Sequence, residues 1–271
     1  MEMKKILEVL REMASRENIR IIYACESGSR AWGFPSTDSD YDIRFIYARS
    51  MQNYITVDKE VLCIDRNNGR PETVDWLKNL AKIDLDIEGW DIKKVANLFL
   101  KGNPVLNEWI QSPIKYNDSK LHILQDLANT YFQPKKAFYH YVAMADNNFM
   151  ESINQAQITR KKYLYILRAL LACRWIECRQ SSPPTEFSKI YTDVMVLGET
   201  GYGEIVPHIQ DLIVSKKAGK ESDTIGRIGV LDNFCNIQLS IFKAMTLSRA
   251  VRTGDSRKLN EFLFDIISYK R

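Results

Sequence analysis

The sequence predicts an α+β protein, with a mixed sheet and helices over residues 1–115 and a mainly helical domain over residues 116–271. Three observations carry this expectation. Short β-branched and aromatic runs bounded by turn formers are confined to the first part of the chain. Beyond Pro113 nearly every segment spaces its apolar residues at a period near that of an α-helix. Strands gathered first and helices gathered later is the order expected of an α+β fold, whereas regular alternation would point to a parallel α/β sheet.

The elements follow in order. Ile6, Leu7, Leu10, Met13 and Ala14 fall on one face of an amphipathic helix over Met3–Glu17. Ile19–Cys25 reads as a strand ended by Glu26, Ser27 and Gly28, and Tyr41–Ala48 reads as a second. Weaker strand patterns lie at Val61–Ile64 and Ile83–Ile87. Asp91 suits the N-cap of a helix over Ile92–Lys101, and Gly102-Asn103-Pro104 supplies its stop. Helical periodicity then marks Leu121–Phe132, Lys135–Met150, Gln157–Cys178, Phe187–Leu197 and Ile225–Arg252. Pro183-Pro184 breaks the longest stretch, and Lys216–Ser222 reads as an exposed loop.

Composition narrows the function classes. With 45% hydrophobic and 27% charged residues over 271 positions, the chain can bury a sizeable core and is not disordered. A net charge of +4 is compatible with a polyanionic partner but does not establish one. The opening MEMKKILEVLREMASREN alternates charged and apolar residues, so neither a signal peptide nor a membrane span is expected there, and the expected compartment is the cytoplasm. The 5 cysteines are scattered without a C-x-x-C pair and only 3 histidines accompany them, which favours reduced thiols, mostly packed in the core. Oligomeric state leaves no mark in the pattern.

The chemistry-bearing residues cluster between Gly28 and Tyr47. Gly28-Ser29 ends a strand where a short helix can begin, so backbone N–H groups there can face an anion with no Cβ in the way. Shortly after come Asp40 and Asp42, which the period of two in a strand places on one face. Two adjacent carboxylates repel each other unless a cation lies between them, and hard oxygen donors beside a polyphosphate suit Mg²⁺ or Mn²⁺. Two metals held by three carboxylates would activate a hydroxyl and steady a pyrophosphate leaving group. A third acid is therefore expected on a neighbouring strand. Asp84, Asp86 and Glu88 alternate with apolar residues on the best candidate; Asp86 is the first choice and Glu88 the second.

Further candidates lie outside the acids. Arg30 sits beside the phosphate turn, Ser39 precedes the acids, and Arg44 shares the strand face of Asp42. In the helical half, Lys161, Tyr165 and Arg168 fall at i, i+4 and i+7; with Lys162 they form a basic stripe suited to phosphates. Leu164, Leu167, Leu171 and Trp175 are expected to face the core. His122, His140 and His208 stand alone in the sequence, so nucleophilic His chemistry is not indicated.

Gly-Ser followed by Asp-hydrophobic-Asp-hydrophobic resembles the signature of DNA polymerase beta-type nucleotidyltransferases. More narrowly, GSRAWG, SDYDIRFIY, DIEGWDIKK, LKGNPVLNEW and KKYLYILRALLACRWIE resemble the RNA-repair-pathway DNA polymerase beta family. That resemblance implies a nucleotidyltransferase-like sheet domain and a helical domain closing the nucleotide cleft. It implies triphosphate binding by Gly28 and Ser29, and metal binding by Asp40 and Asp42. Asp86 as the third ligand rests on strand alternation. The reaction implied is transfer of a nucleoside monophosphate from a nucleoside triphosphate to a hydroxyl, with an RNA end, a protein side chain or a small molecule as acceptor. The alternative is an antitoxin-like or RNA-binding module that keeps the fold without catalysis.

Overall fold

The computed structural model describes residues 2–57, 62–65, 85–196, 202–247 and 255–268. The chain divides into two compact units, the first formed by residues 1–28, 40–131 and 253–271 and the second by residues 29–39 and 132–252.

The first unit is built on a five-stranded sheet. Its strands are β1 (Arg20–Glu26), β2 (Tyr41–Ala48), β3 (Cys63–Ile64), β4 (Leu85–Asp91) and β5 (Lys115–Asn117), in the spatial order β3-β4-β2-β1-β5. β2 and β4 run parallel, while β1 pairs antiparallel with both β2 and β5 and β3 pairs antiparallel with β4. Of the weak strand patterns, Val61, Ile83 and Asp84 lie outside the described residues; Cys63–Ile64 is β3 and Leu85–Asp91 is β4.

Alternation along β2 and β4 explains how the sheet buries. Ile43, Phe45, Tyr47, Leu85 and Ile87 share a core with Ile6, Val9, Leu10 and Met13 of the helix Glu2–Arg16. Each such side chain contributes about 2 kcal/mol by leaving water. The opposite face carries Ile46, Ala48 and Trp90 in a second core, beneath the helices Ile92–Lys101, Pro104–Ile110, Leu121–Tyr131 and Arg257–Ser268. Further along that same face come Asp42, Arg44, Asp86 and Glu88, all partly exposed. The face is apolar where the unit's own helices cover it and charged beyond them.

Local signals behave as their chemistry requires. Asp91 caps Ile92–Lys101 by accepting the Lys93 N–H at 2.8 Å, and Gly102 closes that helix at φ +67°. Gly89 leaves room for Phe45 of β2, since a Cβ at position 89 would lie 2.1 Å from that ring. Gly89→Ala is therefore expected to destabilise the first unit by about 2 kcal/mol through overpacking, read as a lower urea midpoint with an unchanged slope.

The second unit is mainly helical. Its helices are Pro134–Ser152, Arg160–Arg179, Phe187–Val196, Tyr202–Ala218 and Gly229–Ala244, with a two-stranded ribbon of β6 (Gln157–Thr159) and β7 (Thr224–Gly226). Arg160–Arg179 buries an unbroken run from Ile166 to Cys173 and forms the centre of the core, capped by Thr159, whose hydroxyl accepts the Lys162 N–H at 3.1 Å. Phe34 brings the 29–39 segment into that core, ring to ring with Phe187 at 5.8 Å.

Several expectations change here. The loop expected at Lys216–Ser222 begins inside the helix Tyr202–Ala218, and Lys216 is only 1% exposed. That helix runs through Pro207, the residue type that ordinarily breaks one. The helix expected from Ile225 starts at Gly229, because Thr224–Gly226 pairs with β6. Gln157–Thr159 is likewise strand, and the helix begins at Arg160. Trp175 is only half-buried and donates to Ser181 Oγ at 3.1 Å. Leu197 and residues 248–252 of the expected helices lie outside the described residues. Among the described residues the cysteines are unpaired, with Cys25, Cys173 and Cys235 buried, and no helix is long and apolar enough to cross a membrane.

Candidate active site

β1 ends in Glu26, a carboxylate with no exposed surface. Its Oε1 accepts the Asp42 backbone N–H at 2.8 Å and its Oε2 accepts the Tyr116 hydroxyl. Burial, then the bond to Glu26, raises the Tyr116 hydroxyl pKa, so the phenol stays protonated and donates. The Ser27 N–H donates to Asp42 O at 2.8 Å, and Gly28 follows at φ +58°. A Cβ on Gly28 would lie 1.9 Å from Asp42 Oδ2. The glycine is required twice over, for its left-handed backbone and for the carboxylate against it.

Asp42 and Asp86 are directly paired across the parallel strands β2 and β4. Both carboxylates meet one nitrogen: Arg44 Nη2 lies 3.1 Å from Asp42 Oδ1 and 2.7 Å from Asp86 Oδ2. Arg44 Nη1 donates to Ile43 O at 3.1 Å and to Asp86 O at 3.0 Å. Burial opposes the charge on Arg44, but Asp86 and then Asp42 outweigh it, so its pKa is raised and it remains a cation. Glu88, the second choice for the third acid, points elsewhere and accepts from Trp90 Nε1 at 2.6 Å and Cys63 Sγ at 3.4 Å. Asp40 lies just before β2. Among the described residues no three His, Cys, Asp or Glu side chains converge as a ready-made metal cluster. The donor chemistry nonetheless fits a hard divalent ion, because two carboxylates already converge on one positive charge, that of Asp42 lying against Gly28.

In the second unit the 29–39 segment carries its own polar network. Ser29 is buried and its hydroxyl donates to Ser39 Oγ at 3.2 Å, while Arg30 Nη2 donates to Ser39 O at 2.7 Å. Ser39 Oγ also accepts the Ser36 N–H at 2.9 Å and donates to Glu221 Oε1 at 2.8 Å. Glu221 pairs with Lys161, and buried Lys216 lies 3.4 Å from Glu221 Oε1 and 3.3 Å from Ser36 Oγ. Burial works to raise the Glu221 pKa, but the bonds from Lys161 and Ser39 prevail and hold it at about 2.

This depressed pKa fixes a pH dependence. A carboxylate whose folded pKa lies below its unfolded value stabilises the fold above the unfolded pKa, and the contribution is lost as pH falls towards the folded one. Glu221→Gln is expected to lower the urea midpoint most above about pH 5, with the deficit shrinking towards about pH 2. A deficit independent of pH would show that the charge of Glu221 does not matter.

The remaining basic candidates separate. Arg168 is 2% exposed, with its guanidinium 4.3 Å from the centre of the Trp32 ring, and Tyr165 meets Trp32 edge-on at 4.9 Å. Lys161 Nζ lies 5.6 Å from the Tyr165 ring, whereas Lys162 pairs with Asn148 at 3.3 Å and with Glu151 at 2.5 Å. Sequence reasoning did not single out Glu26, Trp32, Lys216 or Glu221. An acid two residues before Gly28 was the available sign of Glu26; the other three gain meaning only through partners distant in the chain.

Residues 3–265 match the model of the RNA repair pathway DNA polymerase beta family. The chain is also 33% identical over 267 residues to YcgL of Bacillus subtilis (strain 168), a protein described as uncharacterized, with 97% of this chain and 96% of that protein covered.

Proposed function

Because this chain belongs to the RNA repair pathway DNA polymerase beta family, we propose that it transfers a nucleoside monophosphate from a nucleoside triphosphate to a hydroxyl acceptor and releases pyrophosphate. The observation that supports the reading most is the in-register pair Asp42 and Asp86, with Asp42 set against a glycine that a side chain could not replace.

In this reading Asp40, Asp42 and Asp86 form the cation-binding set for Mg²⁺ or Mn²⁺. Such ions, when bound, neutralise phosphate charge and raise the acidity of an attacking hydroxyl. Glu26 holds the backbone of Asp42 and so fixes where its carboxylate starts from. Gly28 and Ser29 bind the triphosphate through backbone N–H groups and the serine hydroxyl. Arg30, Ser39, Lys161, Lys162 and Tyr165 are assigned to nucleotide contacts, whereas Arg168, expected from the sequence to meet phosphates, is buried against Trp32 and is assigned to holding Trp32 in place. The family's description names RNA repair, which makes an RNA 3′ hydroxyl the first acceptor to test.

The test is incubation of the purified protein with labelled ATP, CTP, GTP and UTP, Mg²⁺ or Mn²⁺, and RNA or protein acceptors. Label transfer that disappears in Asp42→Ala supports the proposal. Absence of transfer to every acceptor, with the same background in the variant, overturns it. One observation favours the alternative of a non-catalytic RNA-binding or antitoxin-like module: Arg44 already satisfies both Asp42 and Asp86. Tight RNA or protein binding that is indifferent to Asp40→Ala, without metal-dependent nucleotide binding, would select that module.

A further inference from the structure

We propose that Arg44 permanently fills the cation place between Asp42 and Asp86, so that this chain takes one divalent ion with each nucleotide rather than two. The proposal rests on the nucleotidyltransferase reading and narrows it.

A single nitrogen, Arg44 Nη2, lies within hydrogen-bond distance of an oxygen from each carboxylate, at 3.1 Å and 2.7 Å. That is the space a bridging ion would need. Exposed arginine side chains swing aside readily, but this one is anchored from the other nitrogen. Arg44 Nη1 donates to Ile43 O at 3.1 Å and to Asp86 O at 3.0 Å, tying the guanidinium to the backbones of both strands. The side chain is 14% exposed, and its departure would break the bonds to both of these carbonyl oxygens. A guanidinium does not deprotonate in a protein, so it cannot yield to an incoming ion by losing its charge. A second divalent ion placed between Asp42 and Asp86 would have to share their oxygens with this fixed like charge.

The sequence carries the reason. Asp42 and Arg44 share a strand face by the period of two, and the parallel register sets Asp86 beside Asp42 and Glu88 beside Arg44. Glu88 is occupied by Trp90 and Cys63, so Arg44 turns to the two aspartates. Asp86 thereby leaves the cation-binding set assigned above and becomes a positioning residue that holds Arg44, and the ion is assigned to Asp40 and Asp42 with the nucleotide phosphates. The positive charge that a second ion would supply comes from the protein itself, pre-organised and independent of metal concentration.

The experiment counts ions without relying on turnover. Mn²⁺ is titrated into the full chain, saturated in turn with the α,β-methylene analogues of ATP, GTP, CTP and UTP, and electron paramagnetic resonance records bound Mn²⁺ against a protein-free blank. The expected result is one Mn²⁺ per bound nucleotide, with no spin coupling between neighbouring ions. In Arg44→Ala the count is expected to double and a coupled Mn²⁺ pair to appear. Arg44→Gln, which keeps amide donors but loses the charge, serves if the alanine variant does not fold, and the same doubling is expected. Two coupled ions in the wild type would overturn the proposal while leaving the nucleotidyltransferase reading intact. A count that stays at one in a folded Arg44 variant would also overturn it, because something other than Arg44 would then set the limit. Nucleotide bound with no Mn²⁺ would overturn both.

Discussion

Asp42→Asn is expected to lower nucleotide transfer by about 10³-fold, with little loss of folded protein. The magnitude follows from what removal of one pre-organised charged group costs in phosphoryl and acyl transfer. Asparagine keeps the size of the side chain, and the backbone bonds that seat position 42 remain: its N–H to Glu26 at 2.8 Å and its carbonyl to the Ser27 N–H at 2.8 Å. The carboxylate charge is lost, so both the Arg44 contact and any ion held there weaken. Initial rates of pyrophosphate release, with far-ultraviolet circular dichroism as the folding control, check this result. A reduction smaller than about 10-fold would remove Asp42 from the reacting centre.

The second large effect is on stability. Gly28→Ala is expected to cost about 3 kcal/mol, combining the penalty for a left-handed alanine with a displaced carboxylate. Gly28 has φ +58°, and the added carbon would lie 1.9 Å from Asp42 Oδ2 and 2.7 Å from its Cγ. A flexible neighbour would step aside cheaply, but Asp42 is held by Glu26 through its backbone and by Arg44 through its side chain. Urea unfolding followed by tryptophan fluorescence measures the loss. An unchanged midpoint would mean that Asp42 is free to move, contrary to its hydrogen bonds.

Much of the first unit was legible because its signals are local. The run Ile19–Cys25, the turn at Gly28, the alternation in Tyr41–Ala48 and the cap at Asp91 each depend on residues close in sequence. Asp86 could be singled out because an acid flanked by Leu85 and Ile87 must lie on the partly exposed face of its strand. What local patterns do not carry is who meets whom across the chain. Lys216 lies in the last turn of a helix that contains Pro207 and sits in a charged run, which ordinarily means solvent; its burial depends on Glu221 and Ser36. Arg168 shares a helical stripe with Lys161, yet a tryptophan far back in the sequence lies under its guanidinium. Arg44 was recognised as sharing the face of Asp42, but its grip on Asp86 depends on strand pairing. For the same reason, nothing near residues 29–39 announces that Phe34 packs with the helices after residue 132.

The helix Arg257–Ser268 lends Leu259, Phe262 and Ile266 to the core that contains Ile46, Trp90, Phe99 and Tyr131. Since translation proceeds from the N-terminus, the sheet domain leaves the ribosome with that side of its interior unsealed. It is completed only after all of residues 132–252 have been synthesised and the final helix has emerged. The nascent sheet must therefore wait through the synthesis of residues 132–252 with a greasy flank in contact with water or a chaperone.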